Sequence, residues 1–182
     1  DRGVTVYSPH WSPGGERLAY GTTKSSTEQT PATFGVWLNA AGENELLLQR
    51  NTPLHIAGWV DEGRALLVAA GTRSQSNAPQ EVELLRFDLV GHKETMLLKV
   101  AAAYLPTFRL APDESKLVVV TRQQGRDNLE LVSVSKRNIK PLTSNSDPTV
   151  FYVSPAWAPD GRSLFYSRQT SWQFLHLLEA EF

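Results

Sequence analysis

Residues 8–20 read SPHWSPGGERLAY, and residues 154–166 read SPAWAPDGRSLFY. Seven identities fall at the same places: Ser8/Ser154, Pro9/Pro155, Trp11/Trp157, Pro13/Pro159, Gly15/Gly161, Leu18/Leu164 and Tyr20/Tyr166. The offset of 146 residues is three units of about 49, a length typical of one four-stranded propeller blade. Two intermediate copies lie between them, at residues 59–66 (WVDEGRAL) and 110–117 (LAPDESKL). The second of these carries Leu110 where the others carry tryptophan. The structural repeat positions are therefore Trp11, Trp59, Leu110 and Trp157, with turn glycines Gly15, Gly63 and Gly161.

Every unit follows one plan. An apolar strand ends near the repeat position. A reversal rich in Pro, Asp and Gly follows, because proline presets φ and glycine supplies a positive φ. A short strand of branched and aromatic residues comes next: 18–21, 66–70, 117–121 and 164–167. After a polar connection there is a hairpin, such as 34–39 with 45–49, 82–90 with 94–100 and 129–134 with 139–142. No segment sustains a helical period, so the fold class is all-β, a β-propeller of four-stranded antiparallel blades. Four blades are visible within a single domain over 1–182, at about 4–49, 54–100, 105–143 and 150–182.

Composition bounds the function. The 182 residues are 41% hydrophobic and 20% charged, an ordinary globular balance, with a net charge of -1. A nucleic-acid binder usually shows a basic stripe; the densest basic cluster here, Lys136, Arg137 and Lys140, sits between two apolar runs and reads as a solvated hairpin turn. No nucleic-acid partner is expected for this domain. There is no cysteine, which excludes disulfides, thiolate nucleophiles and cysteine-ligated zinc, and which suits an oxidising compartment. No apolar run approaches the roughly 18 residues of a membrane span, so no membrane insertion is expected.

The repeat WSPGGERLAY at residues 11–20 resembles that of the TolB-like, or WD40-like, propeller family, as does the Leu142-Thr143 pair that ends a hairpin. The resemblance covers essentially the whole chain. It implies a propeller fold and leaves the function among several uses. Relatives are periplasmic interaction proteins, propellers of prolyl-oligopeptidase-type serine peptidases, and sensory tails of bacterial regulators and membrane kinases. Rings of this family usually have six or more blades. Four blades can close a ring by themselves; if these do not, the last being without an outermost strand, they are half of a larger ring, completed by further sequence or by a second copy in a homodimer. Uncovered terminal blades would expose apolar faces, as an uncapped repeat array does.

Candidate site residues are few. His10 and His55 both lie shortly before a repeat tryptophan and are candidates for a channel or interface site. Trp37 and Trp172 stand at matching places in the third strands of the first and last units and are candidates for interface exposure. The other histidines, His92 and His176, lack zinc spacing, and no Gly-x-Ser-x-Gly elbow, phosphate loop or calcium loop occurs. No catalytic residue, metal ligand or cofactor is expected. Two long polar connections, 22–33 and 71–80, are further candidates for binding. The reading is a non-enzymatic protein- or peptide-binding or sensory module, as the C-terminal part of a larger bacterial regulator or as a periplasmic protein. The alternative is the substrate-gating propeller of a serine peptidase. An extracytoplasmic location is favoured over a cytoplasmic one.

Overall fold

Proline at the repeat turn sets how each blade reverses. In the computed structural model the Ser12 N–H donates to the Arg17 carbonyl at 2.8 Å and the Gly15 N–H to the Ser12 carbonyl at 2.9 Å. The same pair of bonds recurs as Ala111 to Lys116 with Glu114 to Ala111, and as Ala158 to Ser163 with Gly161 to Ala158. Pro13, Pro112 and Pro159 hold φ negative at the start of these turns, and the left-handed residue two places later is Gly15 (φ 75), Glu114 (φ 58) or Gly161 (φ 68). The second unit has Asp61 at the proline position. It adopts φ 57, which proline cannot, and the turn closes differently, from the Arg64 N–H to the Asp61 carbonyl at 3.1 Å. Its carboxylate pairs with Arg86, whereas Asp113 and Asp160, one place later in their own units, accept backbone N–H groups of Ser115 and Arg162.

The structure describes residues 3–71, 80–102, 108–170 and 174–181, all in strands, turns and irregular connections without a helix. Four antiparallel blades follow in order. The first is β1 (Val4–Trp11), β2 (Arg17–Lys24), β3 (Thr33–Ala40) and β4 (Glu43–Arg50); the second is β5 (Leu54–Val60), β6 (Ala65–Gly71), β7 (Gln80–Asp88) and β8 (Lys93–Ala102). The third is β9 (Arg109–Leu110), β10 (Lys116–Gln123), β11 (Arg126–Ser133) and β12 (Asn138–Pro141). The fourth has three strands, β13 (Val150–Trp157), β14 (Ser163–Thr170) and β15 (Phe174–Glu181). A pairing of Ala102 with Thr121 joins the second and third blades into one sheet.

The innermost strands share a bulge. Register slips between Tyr7 and His10 in β1, between Ile56 and Gly58 in β5, and between Val153 and Ala156 in β13. Ser8 and Ser154 take φ 50 and 52 there, although each precedes a proline. The extra residue bends the strand and re-aims the segment that carries the repeat aromatic.

Two compact units result, one of residues 3–71 with 83–96, the other of 80–82, 97–102, 108–170 and 174–181. In the first, Ala19, Val36 and Leu38 of blade one pack on Leu54, Ile56, Trp59, Leu66 and Val68 of blade two. In the second, Val118, Val120 and Leu129 of blade three pack on Val150, Tyr152 and Leu164 of blade four, where the Tyr152 and Tyr166 rings meet edge to face at 5.7 Å. β5 and β6 are buried along their whole length, as the unbroken apolar run 65–70 demands, while β2 alternates. The Leu142-Thr143 pair ties the end of blade three down: the Leu142 N–H donates to the Leu129 carbonyl, and the Thr143 hydroxyl accepts from the Leu129 N–H and donates to Asn128 Oδ1.

Candidate functional site

Alternation gives β1–β4 two unlike faces. Ala19, Gly21, Val36 and Leu38 point into the first unit's core. Their neighbours Tyr20, Thr22, Gly35 and Trp37 point to the other side. With Val4 and Val6 from β1 and Asn44, Leu46 and Gln49 from β4, they line a groove of about 650 Å³. Val4, Val6, Trp11 and Leu46 are exposed large hydrophobics, and all four lie on this blade. Gly35 makes room for the Trp37 indole, which donates to Thr22 Oγ1 at 3.0 Å; a Cβ at position 35 would lie 2.8 Å from both groups. Tyr20 OH donates to Asn44 Oδ1 at 3.1 Å, and Asn39 Nδ2 reaches the same oxygen at 2.9 Å, closing one end of the groove with polar groups. The lining divides between apolar side chains, Val4, Val6, Trp37 and Leu46, and polar ones, Thr22, Lys24, Thr33, Asn44 and Gln49.

The contact between the first two blades is specific. Trp59 is 6% exposed and its Nε1 donates to the His10 carbonyl at 3.0 Å. The Arg17 guanidinium lies 5.1 Å from the centroid of the Trp59 ring and donates to the Gly63 carbonyl at 2.6 Å. Tyr7 OH donates to the Leu54 carbonyl at 2.7 Å, and burial holds its pKa above that of a free tyrosine. In the second unit Trp157 Nε1 donates to the Arg109 carbonyl at 2.9 Å, the same bond one register place before Leu110.

The histidines expected near a channel or interface come together in part. His55 is buried, and its Nδ1 meets Ser8 Oγ at 3.1 Å; His10 is half-buried and contributes its carbonyl to Trp59. Among the described residues, no three His, Asp or Glu side chains gather closely enough to hold a metal ion. Trp37 lines the groove, but Trp172 lies outside the described residues. Trp37 pairs with Tyr20, and the residue that pairs with Tyr166 in blade four is Leu178. The connection 25–32 is largely exposed and held by Thr27 and Thr30, which bond to each other; 72–79 lies outside the described residues.

Sequence reasoning did not single out Val6, Leu46 or Asp127, and it took Tyr20 only as a repeat position. Asp127 is buried beside Arg122, at 3.6 Å. Desolvation raises its pKa, with the Arg122 charge and the Tyr152 backbone N–H pulling it back. The signal for the groove was present: β2 of blade one reads RLAYGTTK, with polar residues where β6 reads ALLVAAG.

No family model matches this sequence, and no curated protein does. Solved structures do match. TolB from Acinetobacter baumannii aligns with a TM-score of 0.71 at 16% identity, over 97% of this chain and 41% of its own. A putative TolB from Agrobacterium tumefaciens aligns at 0.59 and 13% identity, over 97% of this chain and 77% of its own. The β-propeller domain of the Trilobed protease from Pyrococcus furiosus aligns at 0.67 and 13% identity, over 99% of this chain and 55% of its own. The chain thus spans 41% of the first of these proteins and just over half of the third. Among the described residues, no helix is long and apolar enough to cross a membrane. With its repeated four-stranded antiparallel blades, the chain has the fold of a TolB-like β-propeller.

Proposed function

We propose that this chain is a non-enzymatic protein-binding module, part of a larger propeller assembly, and that its partner seats on the outer face of β1–β4. The observation that carries this reading is the groove, with Val4, Val6, Trp11 and Leu46 exposed together on one blade, whereas Val90, Met96 and Ile139 are exposed on other blades. The resemblance to TolB-like propellers and the absence of cysteine support an extracytoplasmic setting. A peptide library selected on the chain tests the surface. Binders are expected to lose affinity at least about ten-fold on Leu46→Glu, the scale of one buried apolar anchor. Binders indifferent to Leu46→Glu and to Val6→Glu would refute the placement.

A second reading has support of its own. The chain also aligns with a prolyl endopeptidase at a TM-score of 0.66 and 15% identity, over 28% of that protein. On that reading it is the gating propeller of a serine peptidase, and the full gene would encode an adjoining hydrolase domain with a Gly-x-Ser-x-Gly elbow. A regulator or signal-transducing domain in that place would remove this reading.

A further inference from the structure

We propose that Asp127 is an acid-operated latch between blades three and four: uncharged, it lets β11 close on β13, and ionised, it loosens that contact.

Asp127 is paired with Arg122 of β10, on the side of blade three from which Val118, Val120 and Leu129 pack on blade four. Its side chain is 1% exposed, and neither carboxylate oxygen has a hydrogen-bond partner among the described residues. A carboxylate in that setting gives up water as the blades close and gains no donor in return, a cost that falls on the charged form far more than on the neutral one. The Arg122 guanidinium stands 3.6 Å away, beyond hydrogen-bond length, and lies over the Phe151 ring of β13 at 5.5 Å. Its charge offsets only part of the burial, and the Asp127 carboxyl is held above the usual carboxylate range.

The fold does not need an acid at this place. The repeat positions set Leu117 level with Leu18, so Asp127 stands level with Phe34: Thr23 pairs with Phe34 as Arg122 pairs with Asp127. In blade one the place is filled by a hydrocarbon ring that packs on the core shared with blade two. A carboxyl at the matching contact adds one property that Phe34 lacks, a charge that can be switched while buried.

The groups around it leave the switching to Asp127. β10 brings Arg122, and β13 and β14 bring Tyr152, Tyr166 and Arg168; guanidinium groups and phenols do not titrate between pH 4 and 7. In the connection before β13, the neutral Asn145 amide donates to the Asp127 carbonyl, and Asp147 is held below the usual range by Thr149. Arg126 and Glu130, on β11 itself, lie on its opposite face. The folded pKa of Asp127 is raised, so the full strength of the contact is present below about pH 4 and is lost as pH rises through the folded value.

The test is hydrogen exchange of the whole chain between pH 4 and 7, corrected for the intrinsic rate and read by mass spectrometry on 126–133 and 150–157, with 54–71 as internal reference. Opening changes by up to about ten-fold for each unit that separates the pKa values of the open and closed contact. Wild-type exchange in 126–133 and 150–157 is expected to slow several-fold as pH falls, while 54–71 does not follow. Asp127→Asn, neutral at every pH, should be slow throughout and lose the response, and Glu130→Gln should keep it. Arg122→Gln removes the opposing charge and should move the midpoint to higher pH, which tests the latch even if Asp127→Asn fails to fold. A wild-type contact indifferent to pH, a response that survives in Asp127→Asn, or a midpoint unmoved in Arg122→Gln would overturn the proposal.

Discussion

Replacing the three repeat tryptophans by phenylalanine, one at a time, should give three different results from the same chemical change. Phenylalanine keeps an aromatic ring and removes the indole N–H. At Trp59 it strands the His10 carbonyl in a part-buried blade contact, a loss of about 1–2 kcal/mol. It also weakens the stacking of Arg17 over the ring, worth about 0.5–1 kcal/mol, and leaves a small void in the core. The sum is about 2–4 kcal/mol. At Trp157 the same bond is made by a more exposed ring, and about 1 kcal/mol is expected. At Trp11, where the indole is 65% exposed and makes no hydrogen bond within the described residues, the change should stay within about 0.5 kcal/mol. Urea unfolding followed by far-UV circular dichroism reads all three without relying on tryptophan emission, at a concentration where the chain is monomeric. Equal losses at the three positions, or a larger loss at Trp11 than at Trp59, would refute the assignment of these bonds.

Other consequences are as direct. Gly21→Ala places a Cβ 2.5 Å from Tyr7 Cε2, so it should destabilise by about 1–3 kcal/mol and release the Tyr7–Leu54 bond. Tyrosine absorbance titration would show one phenol moving down toward the ordinary value. Gly15 and Gly63 share a left-handed φ (75 and 83), but only Gly63 lies against Pro13. Alanine should cost about 1 kcal/mol at the first and measurably more at the second, by thermal unfolding. Hydrogen bonds hold the Asp88, Asp113 and Asp147 carboxyls below the usual range, led by the Gly91 N–H, the Ser115 hydroxyl and the Thr149 N–H. Their folded pKa values are depressed, so the stability they contribute is present above about pH 4 and is lost as pH falls through the folded values. Asp127 has the opposite sign: burial raises its pKa, so its charge destabilises as pH rises through about 4 toward the folded value. Asp127→Asn should therefore gain on the wild type between pH 3 and 7, and a difference in melting temperature that does not change with pH would contradict this.

Much of the fold was legible because the repeat turn is stereochemically narrow. Pro13, Pro112 and Pro159 with a left-handed residue two places on allow few other shapes, and they fix where the second strand of each blade begins. Asp61 stands at the proline position of its turn and binds Arg86, whereas Asp113 and Asp160 stand one place later in theirs. Turn composition alone does not distinguish the two reversals. Ser8-Pro9 and Ser154-Pro155 were visible as a match, but the bulge they make is a matter of register and shows only in the pairing. Opposite Tyr166, where blade one has Trp37 opposite Tyr20, blade four has Leu178, a pairing that shows only in the register. The groove shows in the sequence only when β2 is set against β6. Tyr20, Thr22 and Lys24 are unremarkable in a strand, and their exposure depends on what lies across the face.

Hydroxyl-radical footprinting of the chain, read by mass spectrometry with and without a selected peptide, tests the outer face most directly. Val6 and Leu46 should label strongly in the free chain and become protected when peptide binds, while Trp59 and Tyr152 remain protected throughout. Labelling of Val6 no stronger than that of Tyr152, or no protection of Val6 and Leu46 on binding, would contradict a partner seated on the outer face of β1–β4.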